Sequence, residues 1–122
     1  MESEHEEAMR GDFRERTALQ QSGYRPGVTE EQIDQIYDKV GQIDDRWKAG
    51  PHGDQWQFLT DAYSDWNDRP DTMARFVDNV EHNLTQGWDG GLDEVQRRSL
   101  YQARELTEPQ RPRRRGPIQR ER

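Results

Sequence analysis

At 122 residues, with 29% hydrophobic and 35% charged side chains and a mean hydropathy of −1.41, the chain has material for one lean domain. The absence of cysteine excludes a disulfide framework and any thiolate metal site. The formal net charge of −7 is unevenly placed, because residues 1–90 carry 20 acidic and nine basic side chains whereas residues 91–122 carry five and nine.

Residues 1–28 open on an acidic run and then offer Met9, Phe13 and the Ala18-Leu19 pair as a thin helical stripe interrupted by Gly11. So few apolar groups offset little of the entropy of ordering, and the expectation is an acidic segment that is weakly helical or disordered. Its start, Met1-Glu2-Ser3-Glu4-His5-Glu6-Glu7, is the opposite of the basic start of a signal peptide. Gly23, Pro26 and Gly27 then punctuate the chain as a linker.

Thr29-Glu30-Glu31-Gln32 has the spacing of a capping box, so a helix is predicted to begin here. Its apolar face is Ile33, Ile36, Tyr37, Val40, Ile43 and Trp47, in steps of three or four, and Gly50-Pro51 ends it. Gly41 inside this helix costs about 1 kcal/mol relative to Ala, which points to close approach by a neighbouring helix or a slight bend. Asp54 reads as the cap of a second helix, with Gln57 in the box position, and Trp56, Leu59, Ala62, Tyr63 and Trp66 face inward until Pro70 stops it. Asp71 reads as the cap of a third helix reaching Gln86, with Met73, Phe76, Val77, Val80 and Leu84 on its apolar face and Gly87 as its left-handed terminator.

Trp88, Asp89, Gly90 and Gly91 form a turn, after which Leu92, Val95, Ser99, Ala103 and Leu106 trace a narrower stripe for a fourth helix. Beyond it Pro109, Pro112 and Pro117 alternate with Arg111, Arg113, Arg114 and Arg115, a composition that cannot pack a core and that reads as a disordered basic tail. The expected fold is all-α, a small bundle of three to four helices over residues 29–107, between disordered termini at 1–28 and 108–122. No apolar run approaches the ~20 residues of a membrane span, so a soluble cytoplasmic protein with no membrane partner is expected.

Catalysis needs titratable groups converging in a pocket, and His5, His52 and His82 fall in an acidic terminus, an interhelix loop and a helix. No Gly-rich phosphate loop or nucleophile elbow is present, so no catalytic or cofactor-binding residue is assigned and the chain reads as non-enzymatic. Asp34 with Asp38, Asp61 with Asp65, and Asp78 with His82 have the four-residue spacing of paired ligands, but they lie on polar helix faces and read as solvated surface; no metal site is assigned. The string Asp65-Trp66-Asn67-Asp68-Arg69-Pro70-Asp71 fails as a calcium loop, because Arg69 and Pro70 stand where an oxygen ligand and Gly are required.

Two helices around a short turn invite a helix-turn-helix reading, but the segment from Asp71 to Gln86 carries Arg75 as its only formal cation against three carboxylates, and DNA phosphates would repel it. The leading functional expectation is a small protein-interaction or regulatory module with an acidic helical body, using Trp47, Trp56, Trp66 and Trp88 as partner-binding aromatics and capable of forming a homodimer. The first alternative is nucleic-acid association through a basic segment made of Arg97, Arg98, Arg104, Arg111, Arg113, Arg114 and Arg115. The second is an acidic nucleic-acid mimic that occupies a basic protein cleft with Asp61, Asp65 and Asp68.

Overall fold

In the computed structural model, residues 1–88 and 91–108 are described, and they form five α-helices with no strand among them: α1 (Ser3–Ser22), α2 (Glu30–Ala49), α3 (Gly53–Asp68), α4 (Pro70–Thr85) and α5 (Glu94–Thr107). The all-α expectation holds. The expected count of three to four helices is corrected to five, and the added element is α1, a continuous 20-residue helix where a weak or disordered segment was expected. The Pro/Arg tail from residue 109 lies outside the described residues.

What orders α1 is a short apolar stripe together with polar ties that no local pattern announces. Met9 and Phe13 are wholly buried, and Thr17 beside them is almost so. Burying two such side chains stabilises docking by about 1.5–3 kcal/mol each. Glu6, one turn earlier, accepts hydrogen bonds from Arg98 at 2.7 Å through each carboxylate oxygen and from Arg10 at 2.6 Å. Arg10 reaches on to the Val95 carbonyl at 3.0 Å and to Gln102 at 2.9 Å. The pairings Glu6 to Arg98 and Arg10 to Gln102 set α1 parallel to α5. On the opposite side Arg46 and Trp47 Nε1 both donate to Asp12 Oδ2, at 2.8 and 2.7 Å, and Arg16 donates to Asp44 at 2.8 Å, so α1 runs antiparallel to α2.

The centre of the bundle is α3, which packs chiefly along α5 and α2. Its Trp56 and Trp66 are the largest buried side chains, and each satisfies its indole N–H: Trp56 donates to Asp44 at 2.9 Å and Trp66 to the Leu100 carbonyl at 3.1 Å. Phe13 meets Trp56 and Tyr63 edge-on at 5.4 and 5.5 Å, and Trp47 stacks on Trp56 at 5.6 Å. Met73 and Val77 bring α4 onto the same cluster, with Val95, Leu100 and Ala103 from α5. Burial first, and then the nearby Glu81 carboxylate of α4, push the pKa of the Tyr101 phenol on α5 upward.

The helix ends agree with expectation in some places and correct it in others. Thr29 and Gln32 form the capping box, and Asp93 with Gln96 forms a second one at α5. At the end of α4, Gly87 has φ +79°, while Gly87 N–H donates to Leu84 and Trp88 N–H to Asn83, the double bond that a left-handed terminator makes. Asp54 and Asp71, in contrast, are first-turn residues and not caps. The α3 helix starts two residues earlier than expected, at a turn that is tight at Gly53, where a Cβ would stand 2.8 Å from the Lys48 carbonyl oxygen. Gln57 instead donates to Asp61 at 2.9 Å. The α4 helix starts at Pro70, whose fixed φ and missing N–H suit the first helical position. No helix among the described residues is long and apolar enough to cross a membrane.

No neighbour crowds Gly41, since a Cβ there meets nothing within 4 Å, which removes close approach from the two alternatives, close approach or a slight bend. Gly41→Ala is therefore expected to stabilise the fold by about 0.5–1 kcal/mol, seen as a higher denaturation midpoint in urea. Hydrogen bonding from Arg98 first, and from Arg10 with both positive charges, holds the Glu6 carboxyl at about 2 against the opposing pull of burial. A depressed carboxyl pKa stabilises the fold above its unfolded value and loses that contribution as pH falls between the two. Because Arg98 is half exposed to screening solvent, Glu6→Gln is expected to cost about 2 kcal/mol at pH 7. The deficit should close as pH falls from about 4.5 toward 2, measured by denaturation at a series of pH values.

A candidate interaction groove

The apolar face of α2 is longer than the surface that covers it. Its C-terminal half is closed, with Val40 and Ile43 buried and Trp47 half-buried. Its N-terminal half is not: Ile33 and Ile36 are half-buried and Tyr37 is 63% exposed. The cause lies in the length of α1. In the antiparallel α1–α2 pair, α1 ends at Ser22, and Gly23 already sits against Ile36, so the first turns of α2 project past the end of their partner.

The connection between the two helices adds a second aromatic. Ser22 closes α1 by donating from its hydroxyl to the Leu19 carbonyl at 2.6 Å, Gly27 takes a left-handed φ of +84°, and between them Tyr24 stands 86% exposed. Tyr24, Ile33, Ile36 and Tyr37, with Tyr63 and Asn67 from the end of α3 and Gln20 and Gln21 from α1, line a cleft of about 520 Å³. Tyr63 is anchored by Phe13, so the floor of the cleft belongs to the core while its rim stands in water.

Acidic groups border this cleft. A shallower depression of about 280 Å³ adjoins it through Gln20, Tyr63 and Asn67 and carries Asp61 and Asp68. Its one cation, Arg16, is tied to Asp44. Glu30, Glu31, Asp34 and Asp38 are exposed along the same overhanging part of α2. Arg25 and Lys39 stand on the other side, in a depression that meets the cleft at Ile36, so carboxylates outnumber cations around an exposed tyrosine-rich groove, which favours a ligand that combines apolar anchors with positive charge.

The tryptophans singled out from sequence are not gathered in one place. Trp56 and Trp66 are interior side chains with 0% and 2% exposure, and they offer no surface to a partner. Trp47 is half-buried between Trp56 and its hydrogen bond to Asp12. Only Trp88 is open, 61% exposed just beyond α4, where Phe76 and Leu84 are also partly exposed. Tyr24 and Tyr37 were missed as candidates because one lay in a presumed linker and the other fitted a core stripe. A tyrosine held between Gly23 and Pro26 was the available signal.

The described part of the basic segment is engaged internally. Arg98 holds Glu6, Arg97 donates to the Leu92 carbonyl at 3.2 Å, and Arg104 lies over the rings of Trp66 and Tyr101 at 5.7 and 5.5 Å. Arg111, Arg113, Arg114 and Arg115 lie outside the described residues. Among the described residues no three His, Asp or Glu side chains converge as a metal-holding group.

No family model, curated protein or solved structure matches the chain. The groove therefore rests on its own geometry. Exposed rim residues contribute little to folding, so Tyr24→Ala and Tyr37→Ala are each expected to change stability by no more than about 0.5 kcal/mol. Trp56→Ala should cost about 3–5 kcal/mol. Urea denaturation checks both, and a large loss at Tyr37 would mean that this face is closed.

Proposed function

We propose that the protein is a small non-enzymatic interaction module whose cleft between the end of α1, the start of α2 and the end of α3 receives a partner segment bearing aromatic or aliphatic anchors flanked by Arg or Lys. The observation that carries this reading is the pair Tyr24 and Tyr37, 86% and 63% exposed, at the rim of a cleft floored by Ile33, Ile36 and Tyr63. Tyrosine supplies a large contact area at a low cost in side-chain entropy, which suits it to anchor an interface. In a chain with 29% hydrophobic residues, leaving this much apolar surface in water costs stability, and recognition gives that cost a purpose.

Charge supports the second half of the reading. The cleft opens among Asp61, Asp68 and the acidic start of α2, and residues 1–90 are strongly negative, so a basic partner is steered toward it. This combines the interaction-module expectation with the acidic-mimic one, since Asp61 and Asp68 serve either. Association with nucleic acid through Arg97, Arg98 and Arg104 is the weaker reading, because those guanidiniums already serve Leu92, Glu6 and two aromatic rings.

Selection of random peptides on the immobilised full-length chain tests the proposal. Enriched sequences are expected to pair aromatic or aliphatic residues with Arg or Lys and to shift the amide resonances of Ile33, Ile36, Tyr37 and Tyr63. The double variant Tyr24→Ala, Tyr37→Ala should bind them at least about 30-fold more weakly, the equivalent of one strong interfacial anchor. Peptides that perturb a different surface, or that bind the double variant equally well, would overturn it.

A further inference from the structure

We propose that His5 and His52 form a surface site for a single divalent transition-metal ion of the imidazole-preferring class, Cu²⁺, Ni²⁺ or Zn²⁺, which clasps the start of α1 to the turn between α2 and α3. The two residues are 47 positions apart in sequence, yet His5 Nδ1 and His52 Nε2 stand 3.1 Å apart. Two imidazole nitrogens at that distance share at most one proton, so at least one lone pair faces the other ring. In the tautomers protonated at the outer nitrogens, His5 Nε2 and His52 Nδ1, both inner lone pairs are available to one ion.

The separation has the dimension of a chelate. An ion about 2.05 Å from each nitrogen would subtend an N–metal–N angle of about 98°, between the right angle of tetragonal copper and the tetrahedral angle of zinc. Rings that both point at such an ion place their centroids about 4.8 Å apart, given that metal–nitrogen distance. The observed centroid separation is 5.0 Å, with the planes inclined at 46°. The nitrogen and centroid separations are thus both compatible with one ion held between the rings.

Both ligands are held by ordered neighbours. His5 directly precedes Glu6, whose carboxylate is gripped by Arg98 and Arg10. His52 immediately precedes Gly53, whose backbone is pressed against the Lys48 carbonyl, and its ring lies 6.5 Å from that of Trp47. Trp47 in turn stacks on Trp56 and donates to Asp12 of α1. Such support lowers the ordering cost that a two-ligand site would otherwise meet. With no third protein side chain converging among the described residues, water completes the coordination sphere, and copper binds tightest of the three.

The test uses the tag-free full-length chain titrated with CuCl₂, NiCl₂ or ZnCl₂ alone, read by calorimetry and by thermal unfolding. One ion per chain is expected, with copper tightest and a rise in Tm of at least about 3 °C at saturating metal. His5→Gln and His52→Gln should each weaken binding at least tenfold and abolish the rise, while His82→Gln, on the exposed face of α4, should retain both. Substoichiometric Cu²⁺ should broaden the ring resonances of His5 and His52 in the unmodified chain, a readout independent of any variant. Absence of binding, a Tm shift preserved in either His variant, or broadening centred elsewhere would overturn the proposal.

Discussion

One carboxylate oxygen joins the three helices on which the bundle is built. Asp44 Oδ1, on α2, accepts from the buried Trp56 indole of α3 at 2.9 Å and from Arg16 of α1 at 2.8 Å. An indole N–H buried without a partner would carry the full penalty of desolvation, and so would a half-buried carboxylate left unpaired. Each therefore requires the other, and Arg16 neutralises the charge that makes the acceptor strong. The register of α1 on α2 and of α2 on α3 is set together at this point. Trp47 repeats the device one turn later, with its indole on Asp12 and its face on Trp56.

Polar ties of this kind explain how so lean a chain orders five helices. An apolar stripe of Met9 and Phe13 alone is thin for a 20-residue helix, yet α1 is bound at its start by Glu6 to α5, and at Asp12 and Arg16 to α2. Partly buried charge pairs are conditional stabilisers, costly when one member is lost and worthwhile only when each group is also hydrogen-bonded. Glu6 meets that condition with four hydrogen bonds from two guanidiniums and a carboxyl held at about 2. The same contacts give the described arginines of α5 internal partners, although Arg98 and Arg104 still face solvent in part.

What could be read from sequence was local, and what escaped was distant. The Thr29–Gln32 box, the Gly50 stop and the Gly87 terminator each depend on residues within one turn, and each is where periodicity and capping chemistry put it. The start of α3 was misassigned because the close approach of Gly53 to Lys48 is a property of the folded turn. The α1 helix was undervalued because its partners lie up to 92 residues away. The groove was hidden by the opposite error. The periodicity of Ile33, Ile36 and Tyr37 correctly indicates one helix face, but it says nothing about where the covering helix stops. Exposure of that face follows from the length of α1, which no single apolar stripe encodes.

The Glu6–Arg98 contact also has a temporal side. The α2 and α3 helices are joined by a tight turn and can pair while the chain is still being made, but the second wall that receives α1 belongs to α5. Closing a separation of 92 residues carries an entropic cost of about 4 kcal/mol before any contact repays it. Until α5 has emerged, Glu6 and Arg10 lack their Arg98, Val95 and Gln102 partners, although Phe13 can already meet Trp56 and Tyr63 of α3. A chain interrupted before Arg98 would keep the ties of α1 to α2 at Asp12 and Arg16 but leave Glu6, at the start of α1, without its partner on α5.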